Sequence, residues 1–244
     1  KYGIVPNSVM PETEQSKSTR GISQIINMKI HKDAAELRRL VAEGKDASAR
    51  KDELLVEYFK ALCIAFGRPV DTFDFEYTDK NGKYHVDRDM TPKSFYDKYI
   101  GLDLDQYVNV INGPTQDKPY GKTYTVKYLG NVVEGHIKYL NLPMEQLKEL
   151  VVKQMQAGEL VWFGSDCGKF GDRDSRFWDD QSFDSLPATG LDVAMTKEEM
   201  LDCCDSAMNH AMCFTGVNIG GDGKPNRWKI ENSWGSEGLN EGYY

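Results

Sequence analysis

The stretch 209–235, NHAMCFTGVNIGGDGKPNRWKIENSWG, predicts a pair of β-strands with a histidine and an asparagine at their ends. The runs AMCFTGVNI and RWKIENSW flank the turn-forming segment GGDGKPN, which is the pattern of two strands joined by a turn. His210 precedes the first strand, and Asn232 lies near the end of the second. A simple hairpin centred near residue 223 does not place the two side chains directly opposite each other. We therefore expect an offset or a bulge in the pairing if they meet.

A histidine and an asparagine, such as His210 and Asn232, can together activate a cysteine nucleophile. A thiol with a pKa of about 8.5 is a poor nucleophile at neutral pH. An imidazolium stabilises the thiolate and later protonates the leaving amine, while an amide side chain fixes the tautomer of the ring. Trp234 can then cover the His–Asn hydrogen bond and exclude water from it. The ordinary alternative is a structural His near a strand and an Asn that satisfies backbone groups near a turn.

The composition is that of a globular protein with enough apolar residues for a core. The 244 residues are 40% hydrophobic, and 38 acidic against 30 basic residues give a net charge of -8, which argues against a dedicated nucleic-acid binder. No run is long enough to span a bilayer, and no signal-peptide pattern is present. The five cysteines include no Cys-x-x-Cys pair with His at zinc spacing. We therefore expect reduced thiols, a cytoplasmic location, and neither a metal site nor a cofactor.

Residue periodicity predicts an α+β fold, with a helical first half and a mostly β second half. The segment 1–21 is expected to be extended and then a loop. Helices are predicted over 33–44, 51–69 and 143–158, with shorter ones over 91–100, 103–111 and 196–204. Strands are predicted as a hairpin over 71–87, at 122–131, and as a buried strand over 159–166, in addition to the pair described above.

Three motifs relate the chain to a known family. NHAM, WKIENSWG and EGYY resemble the papain-like cysteine peptidases, and the segments 1–13, 139–166 and 221–235 are similar to bleomycin hydrolase and aminopeptidase C. The resemblance implies a papain-like fold with a β-barrel-type half and a helical insertion. It assigns residues 1–20 to the tail of the Cys-bearing half, 21–115 to the insertion and a connecting segment, and 116–244 to the β-rich half.

The resemblance also implies a role for each residue of the site. His210 is expected to be the catalytic base and acid, Asn232 its orienting residue and Trp234 the cover over their hydrogen bond. Asn209 and Ala211 are expected to lie in the cleft that binds peptide substrates. Many family members have Thr where this chain has Asn209, which affects the expected specificity more than the reaction.

The nucleophile that this resemblance requires is not in the sequence. The family segment in which a Gln is followed by Gly, Cys and Trp does not occur, so we expect an internal fragment whose Cys and oxyanion-hole Gln belong to a missing N-terminal half. Tyr244 comes too early to be the C-terminus that meets the substrate's amino group in this family. Cys167 is the alternative nucleophile, because it follows a predicted strand among glycines, but neither a Trp nor a long helix follows it.

The function implied for the parent protein is that of a cytosolic thiol aminopeptidase. It would remove N-terminal residues from peptides through an acyl-enzyme and would assemble as a hexamer. The chain alone is expected to be inactive and to self-associate, because half of a papain-like fold exposes apolar surface. The alternative is a non-catalytic papain-like protein that binds peptides or acts as a scaffold, which does not need all of His210, Asn232 and Trp234.

Overall fold

The computed structural model describes residues 2–127, 129, 135–172, 174–180, 183–237 and 239–244. It is an α+β structure that divides into two compact units, Lys1–Leu104 and Asp105–Tyr244. The resemblance to parts of a papain-like fold divides the chain differently, into 1–20, 21–115 and 116–244. That division stays a prediction. No helix among the described residues combines the length and apolarity needed to cross a bilayer.

The first unit begins with three helices, α1 (Glu14–Lys17), α2 (Arg20–Ala42) and α3 (Ser48–Phe66). The turn α1 lies where a loop was predicted, because Thr13 caps it with a reciprocal capping box. Helix α2 begins well before the predicted segment 33–44. Helix α3 is close to its predicted bounds.

A buried carboxylate joins α2 to α3. Asp33 is 4% exposed. It accepts hydrogen bonds from Lys29 and from the Tyr58 hydroxyl on α3, both at 2.8 Å. Pairing of this kind offsets the cost of burying a charge.

The apolar stripe predicted on α3 is only partly buried. Leu54 is buried, whereas Leu55, Phe59 and Leu62 are exposed. Cys63, expected to be buried, is of intermediate exposure. The periodicity identified the helix correctly but not how much of its apolar face is covered within this chain.

The predicted hairpin follows as β1 (Phe73–Thr78) and β2 (Tyr84–Met90). Helix α4 (Pro92–Tyr99) packs on it through aromatic rings. The ring of Phe75 lies 4.9 Å from those of both Phe95 and Tyr99, in edge-on arrangements. These contacts form the aromatic core of this part of the first unit.

The second unit contains a small mixed sheet of β3 (Asn109–Ile111), β4 (Thr123–Tyr124) and β5 (Tyr139–Asn141), in the order β3-β5-β4. A helix was predicted over 103–111, but only one 3-10 turn forms there, at Leu104–Gln106. The rest of the prediction is wrong, because residues 109–111 form a strand that pairs in parallel with β5. Of the strand predicted at 122–131, only β4 forms, and Tyr128, Gly130 and Asn131 lie outside the described residues.

Helix α5 (Met144–Gln156) leads to the sheet that carries the site. This antiparallel sheet has the order β10-β9-β6 and consists of β6 (Val161–Ser165), β9 (His210–Ile219) and β10 (Pro225–Glu231). The strand predicted at 159–166 forms as β6, but it was expected to be buried, and one of its faces is not. Trp162 on that face is 75% exposed. The sheets are open, and none closes into a barrel among the described residues.

Between β6 and β9 lie short elements: β7 (Gly171–Asp172), β8 (Phe177–Trp178), α6 (Ser185–Thr189) and α7 (Lys197–Asp202). The predicted capping box of α7 is confirmed, with Thr196 as N-cap and Glu199 as its reciprocal partner. The β7–β8 hairpin was not predicted.

Candidate active site

The strands β9 and β10 bring His210 and Asn232 together. His210 is the first residue of β9, and Asn232 directly follows β10. The register is irregular between Lys229 and Ile230, after which Glu231 lies opposite Cys213. The expected offset is thus confirmed, and Nε2 of His210 lies 2.9 Å from Oδ1 of Asn232.

This hydrogen bond defines the chemistry of the imidazole. An amide oxygen only accepts hydrogen bonds, so this contact assigns the hydrogen to Nε2 of His210. Nδ1 is then the ring atom available to exchange a proton with a reacting group. Oδ1 of Asn232 also accepts from the backbone N–H of Ser233 at 2.8 Å.

Trp234 lies against the histidine, as the sequence predicted. The two rings stack with centroids 5.0 Å apart and an interplanar angle of 26°. Two further rings follow behind Trp234, at 6.1 Å for Trp178 and 5.8 Å for Tyr244. From the sequence, neither ring was given a place in the site. The signal for Trp178 was an aromatic pair, FW, in a segment otherwise rich in Asp and Gly, and Tyr244 ends the motif EGYY.

Asn209 holds two loops together next to the histidine. Its Nδ2 donates to Oδ1 of Asp166 at 2.7 Å, and its Oδ1 accepts from the backbone N–H of Cys167 at 3.0 Å. Ala211 is half-buried on β9 and pairs with Gly164 of β6. Contact of Asn209 and Ala211 with a substrate stays a prediction.

Asp166 is the acceptor at the centre of these loops. Burial by itself raises the pKa of its carboxyl group, but hydrogen bonds from Ser206, Asn209 and the backbone of Gly168 and Ala207 outweigh that effect. The net result is a pKa below the usual value of an aspartate. The carboxylate therefore stays charged and keeps its four donors in place at neutral pH.

None of the cysteines has the features of an activated nucleophile. Sγ of Cys167 lies 3.3 Å from the Ser165 hydroxyl, while the imidazole of His210 is bonded to Asn232. Burial raises the pKa of the Cys213 thiol, and the Glu231 carboxylate raises it further, which disfavours the thiolate. The remaining three are Cys63 on α3 and the exposed pair Cys203 and Cys204 after α7.

The described residues contain no group of three or more His, Cys, Asp or Glu side chains placed to hold a metal ion. The observed geometry is a paired imidazole stacked on an indole ring, at the start of the central strand of an open sheet. Such a pair can move a proton to and from a reacting atom near Nδ1.

Comparison with known proteins shows the family to which this chain belongs. The sequence model of the Peptidase C1-like family matches residues 1–244. The chain belongs to this family. It is 47% identical to Aminopeptidase C of Lactobacillus delbrueckii subsp. lactis, over 100% of this chain and 55% of the relative. It is 46% identical to Aminopeptidase C of Streptococcus thermophilus, over 100% of this chain and 56% of the relative.

A solved structure agrees with the fold of this Peptidase C1-like chain. The crystal structure of PepW from Lactobacillus rhamnosis HN001 superposes with a TM-score of 0.95 at 46% identity, over 100% of this chain and 55% of that chain. The predicted α+β, papain-like fold is thereby confirmed. The chain spans about half the length of the curated relatives it matches.

Proposed function

We propose that this chain is the acid–base part of a cysteine-type aminopeptidase. The observation that carries the proposal is the 2.9 Å hydrogen bond between His210 and Asn232, beneath Trp234, in a chain of the Peptidase C1-like family. The nucleophilic cysteine and the glutamine of the oxyanion hole belong, in this proposal, to a preceding half of the same protein.

The proposed reaction uses the two nitrogens of His210 differently. Nδ1 takes the proton of the enzyme's cysteine thiol, which gives a thiolate–imidazolium pair, while Nε2–H stays bonded to Asn232. The thiolate attacks the carbonyl carbon, and the imidazolium donates its proton to the leaving amine as the C–N bond breaks. The imidazole then takes a proton from water, which attacks the acyl-enzyme and releases the acid and the thiol.

Peptides with a free amino terminus are the proposed substrates. The relatives at 46% and 47% identity are both called Aminopeptidase C, which supports removal of N-terminal residues rather than internal cleavage. A bleomycin hydrolase-like activity, a cytoplasmic location and a homohexamer are parts of the same proposal and rest on the sequence resemblance. The 244-residue chain is proposed to be inactive without its nucleophile.

The first experiment replaces His210 in the full-length protein. With an aminoacyl coumarin amide as substrate, His210→Ala should lower kcat/KM by on the order of 10³-fold or more, since it removes the acid–base group. His31→Ala is the matched control, because His31 lies exposed on α2 in the first unit. Comparable activity of the His210→Ala variant and the control would contradict the proposal and favour a scaffold or peptide-binding protein.

The location of the nucleophile is tested on the 244-residue chain. We expect neither peptidase activity nor a stoichiometric adduct after treatment with an epoxide-type thiol reagent, measured by intact mass. In the full-length protein, one adduct should form upstream of residue 1. A single adduct on Cys167 in the short chain would show that the nucleophile is assigned to the wrong segment.

A further inference from the structure

Trp178 lies where three segments of the second unit meet. Its indole Nε1–H donates to the backbone oxygen of Cys167 at 3.0 Å. Its ring lies 4.3 Å from Tyr244 and 6.1 Å from Trp234. The opposing strand makes room for the ring at Gly171, where a Cβ atom would lie 2.1 Å from Nε1. The hairpin is therefore shaped around this particular ring.

Tyr244 is fixed from the other side of the cluster. Its backbone N–H and C=O exchange hydrogen bonds with Ile230 of β10, at 2.9 and 2.8 Å. The Arg176 guanidinium lies 5.3 Å over its ring and also donates to the backbone oxygen of Glu237. Arg176 has a φ of +56°, a conformation that non-glycine residues rarely adopt. These contacts hold Tyr244 in place where its ring packs against Trp178 and Trp234.

Trp234 lies in a bend after β10 rather than in a strand. It stacks on His210 with one face and meets Tyr244 edge-on at 89°. With 44% of its surface exposed, Trp234 has much of its ring in solvent. The rings of Trp178 and Tyr244 are two of the groups that contact it.

The amide of Asn232 is held through its oxygen. The hydrogen bonds from His210 and from Ser233 both end on Oδ1. Its Nδ2 is buried and has no hydrogen-bond partner among the described residues. Among the described residues, no hydrogen bond from Nδ2 therefore helps to fix the orientation in which the amide accepts from the histidine.

We propose that Trp178 is a positioning residue for His210 and acts through Trp234. The inference rests on the proposed function and extends it to the β7–β8 hairpin. Without the indole, Trp234 loses the ring behind it and water gains access to the His210–Asn232 hydrogen bond. That bond weakens in contact with water, and the orientation of the imidazole is no longer fixed.

A positioning role and a merely structural role predict different results. A structural tryptophan, when replaced, lowers the thermal stability and leaves the pH dependence of kcat/KM unchanged. A positioning tryptophan changes kcat more than KM and moves the acid limb of the pH profile, since that limb reports the ionisation of the catalytic pair.

The test compares Trp178→Phe and Trp178→Leu with Trp228→Phe in the full-length protein. Trp228 is the matched control, because it packs on Phe214 of the same sheet, at 4.9 Å, away from the histidine. Each variant is measured for kcat and KM from pH 4 to 9 on the aminoacyl coumarin amide, and for Tm. We expect Trp178→Leu, which removes the ring, to lower kcat by about tenfold with little change in KM, and Trp178→Phe, which keeps a smaller ring, to lower it less. Trp228→Phe should keep the wild-type pH profile whatever its Tm.

A wild-type kcat and pH profile in Trp178→Leu would overturn the inference. If Trp178→Leu does not fold, the same result in Trp178→Phe overturns it, because phenylalanine lacks the Nε1–H bond to Cys167 and the full area of the indole. Failure of the proposed function is separate, because it would appear as activity in His210→Ala. An inactive His210→Ala variant together with an unaltered Trp178→Leu variant would reject only the role of Trp178.

Discussion

His210 and Asn232 show how much chemistry a single hydrogen bond can fix. The amide oxygen determines which ring nitrogen carries the hydrogen, and so which one can act on a thiol. Residue types and spacing left this pair open beside a structural alternative, and the resemblance of NHAM and WKIENSWG to papain-like peptidases implied that the two residues act together. Spacing did not predict Trp178 or Tyr244, since their contact with Trp234 depends on where the β7–β8 hairpin and the chain after residue 239 fold.

Asp166 leads to a prediction on acid stability. Its pKa is lower in the folded protein than the ordinary aspartate value of 3.8, so its contribution to stability is fully present above that value. The contribution is lost as the pH falls through the lower folded-state pKa. Asp166→Asn should therefore lower the Tm of the full-length protein at pH 7, and the difference from wild type should shrink below pH 3.8.

Asp174→Asn serves as the control for this experiment, because Asp174 is exposed and accepts none of the hydrogen bonds around Asn209. A Tm difference for Asp166→Asn that stays constant with pH would show that shape, rather than charge, matters at this position.

The elements around the site differ in how far the sequence predicts them. Long periodic helices and the paired strands β9 and β10 were predicted, because apolar periodicity and turn residues act locally. The short strands β3, β5, β7 and β8 were missed, since two or three residues carry no periodicity and their pairing depends on distant segments. The exposed face of β6 was also missed, because an apolar run does not reveal what covers it.

The turn between β9 and β10 allows an element-scale prediction. Gly223 has a φ of +79°, whereas Gly221 does not have a positive φ, and a Cβ at either position would meet nothing within 4 Å. Gly223→Ala should therefore destabilise the protein by about 1–2 kcal/mol, the cost of a left-handed L residue. Gly221→Ala should be neutral or stabilising by up to about 1 kcal/mol, because it restricts the unfolded chain.

Thermal unfolding of the two single variants measures this difference. Both substitutions add the same methyl group to the same turn, so backbone conformation is the variable that differs between them. Equal Tm values would mean that the turn relaxes and that Gly223 is not required for its conformation.

At the scale of the whole chain, apolar side chains are exposed in both compact units. The exposed fraction is 88% for Ile64, 81% for Val108, 75% for Trp162 and 73% for Met208. Large exposed apolar side chains are typical of surfaces that contact other protein segments. The chain also spans only about half the length of its relatives, which agrees with such contacts lying outside it.

We therefore expect the 244-residue chain to self-associate when produced alone. Light scattering should show species larger than 27.7 kDa, and their proportion should rise with protein concentration. The control is a variant with Ile64→Ser and Trp162→Ser, which should associate less because it removes two of the most exposed apolar groups. A monodisperse monomer for the unaltered chain would contradict the expectation.

The sequence by itself indicated the α+β class and the strand pair, because these depend on residue type and local periodicity, and the resemblance of its motifs to known peptidases implied the family and the His–Asn–Trp site. The tertiary structure decided where the bulge that aligns His210 with Asn232 lies, the loop contacts of Asp166 and Asn209, and the ring cluster around Trp234. The loop contact joins Asp166 to Asn209, 43 residues further along the chain, and the ring cluster joins the β7–β8 hairpin to Trp234. Such contacts form only when the whole unit folds, and no local pattern in the sequence encodes them.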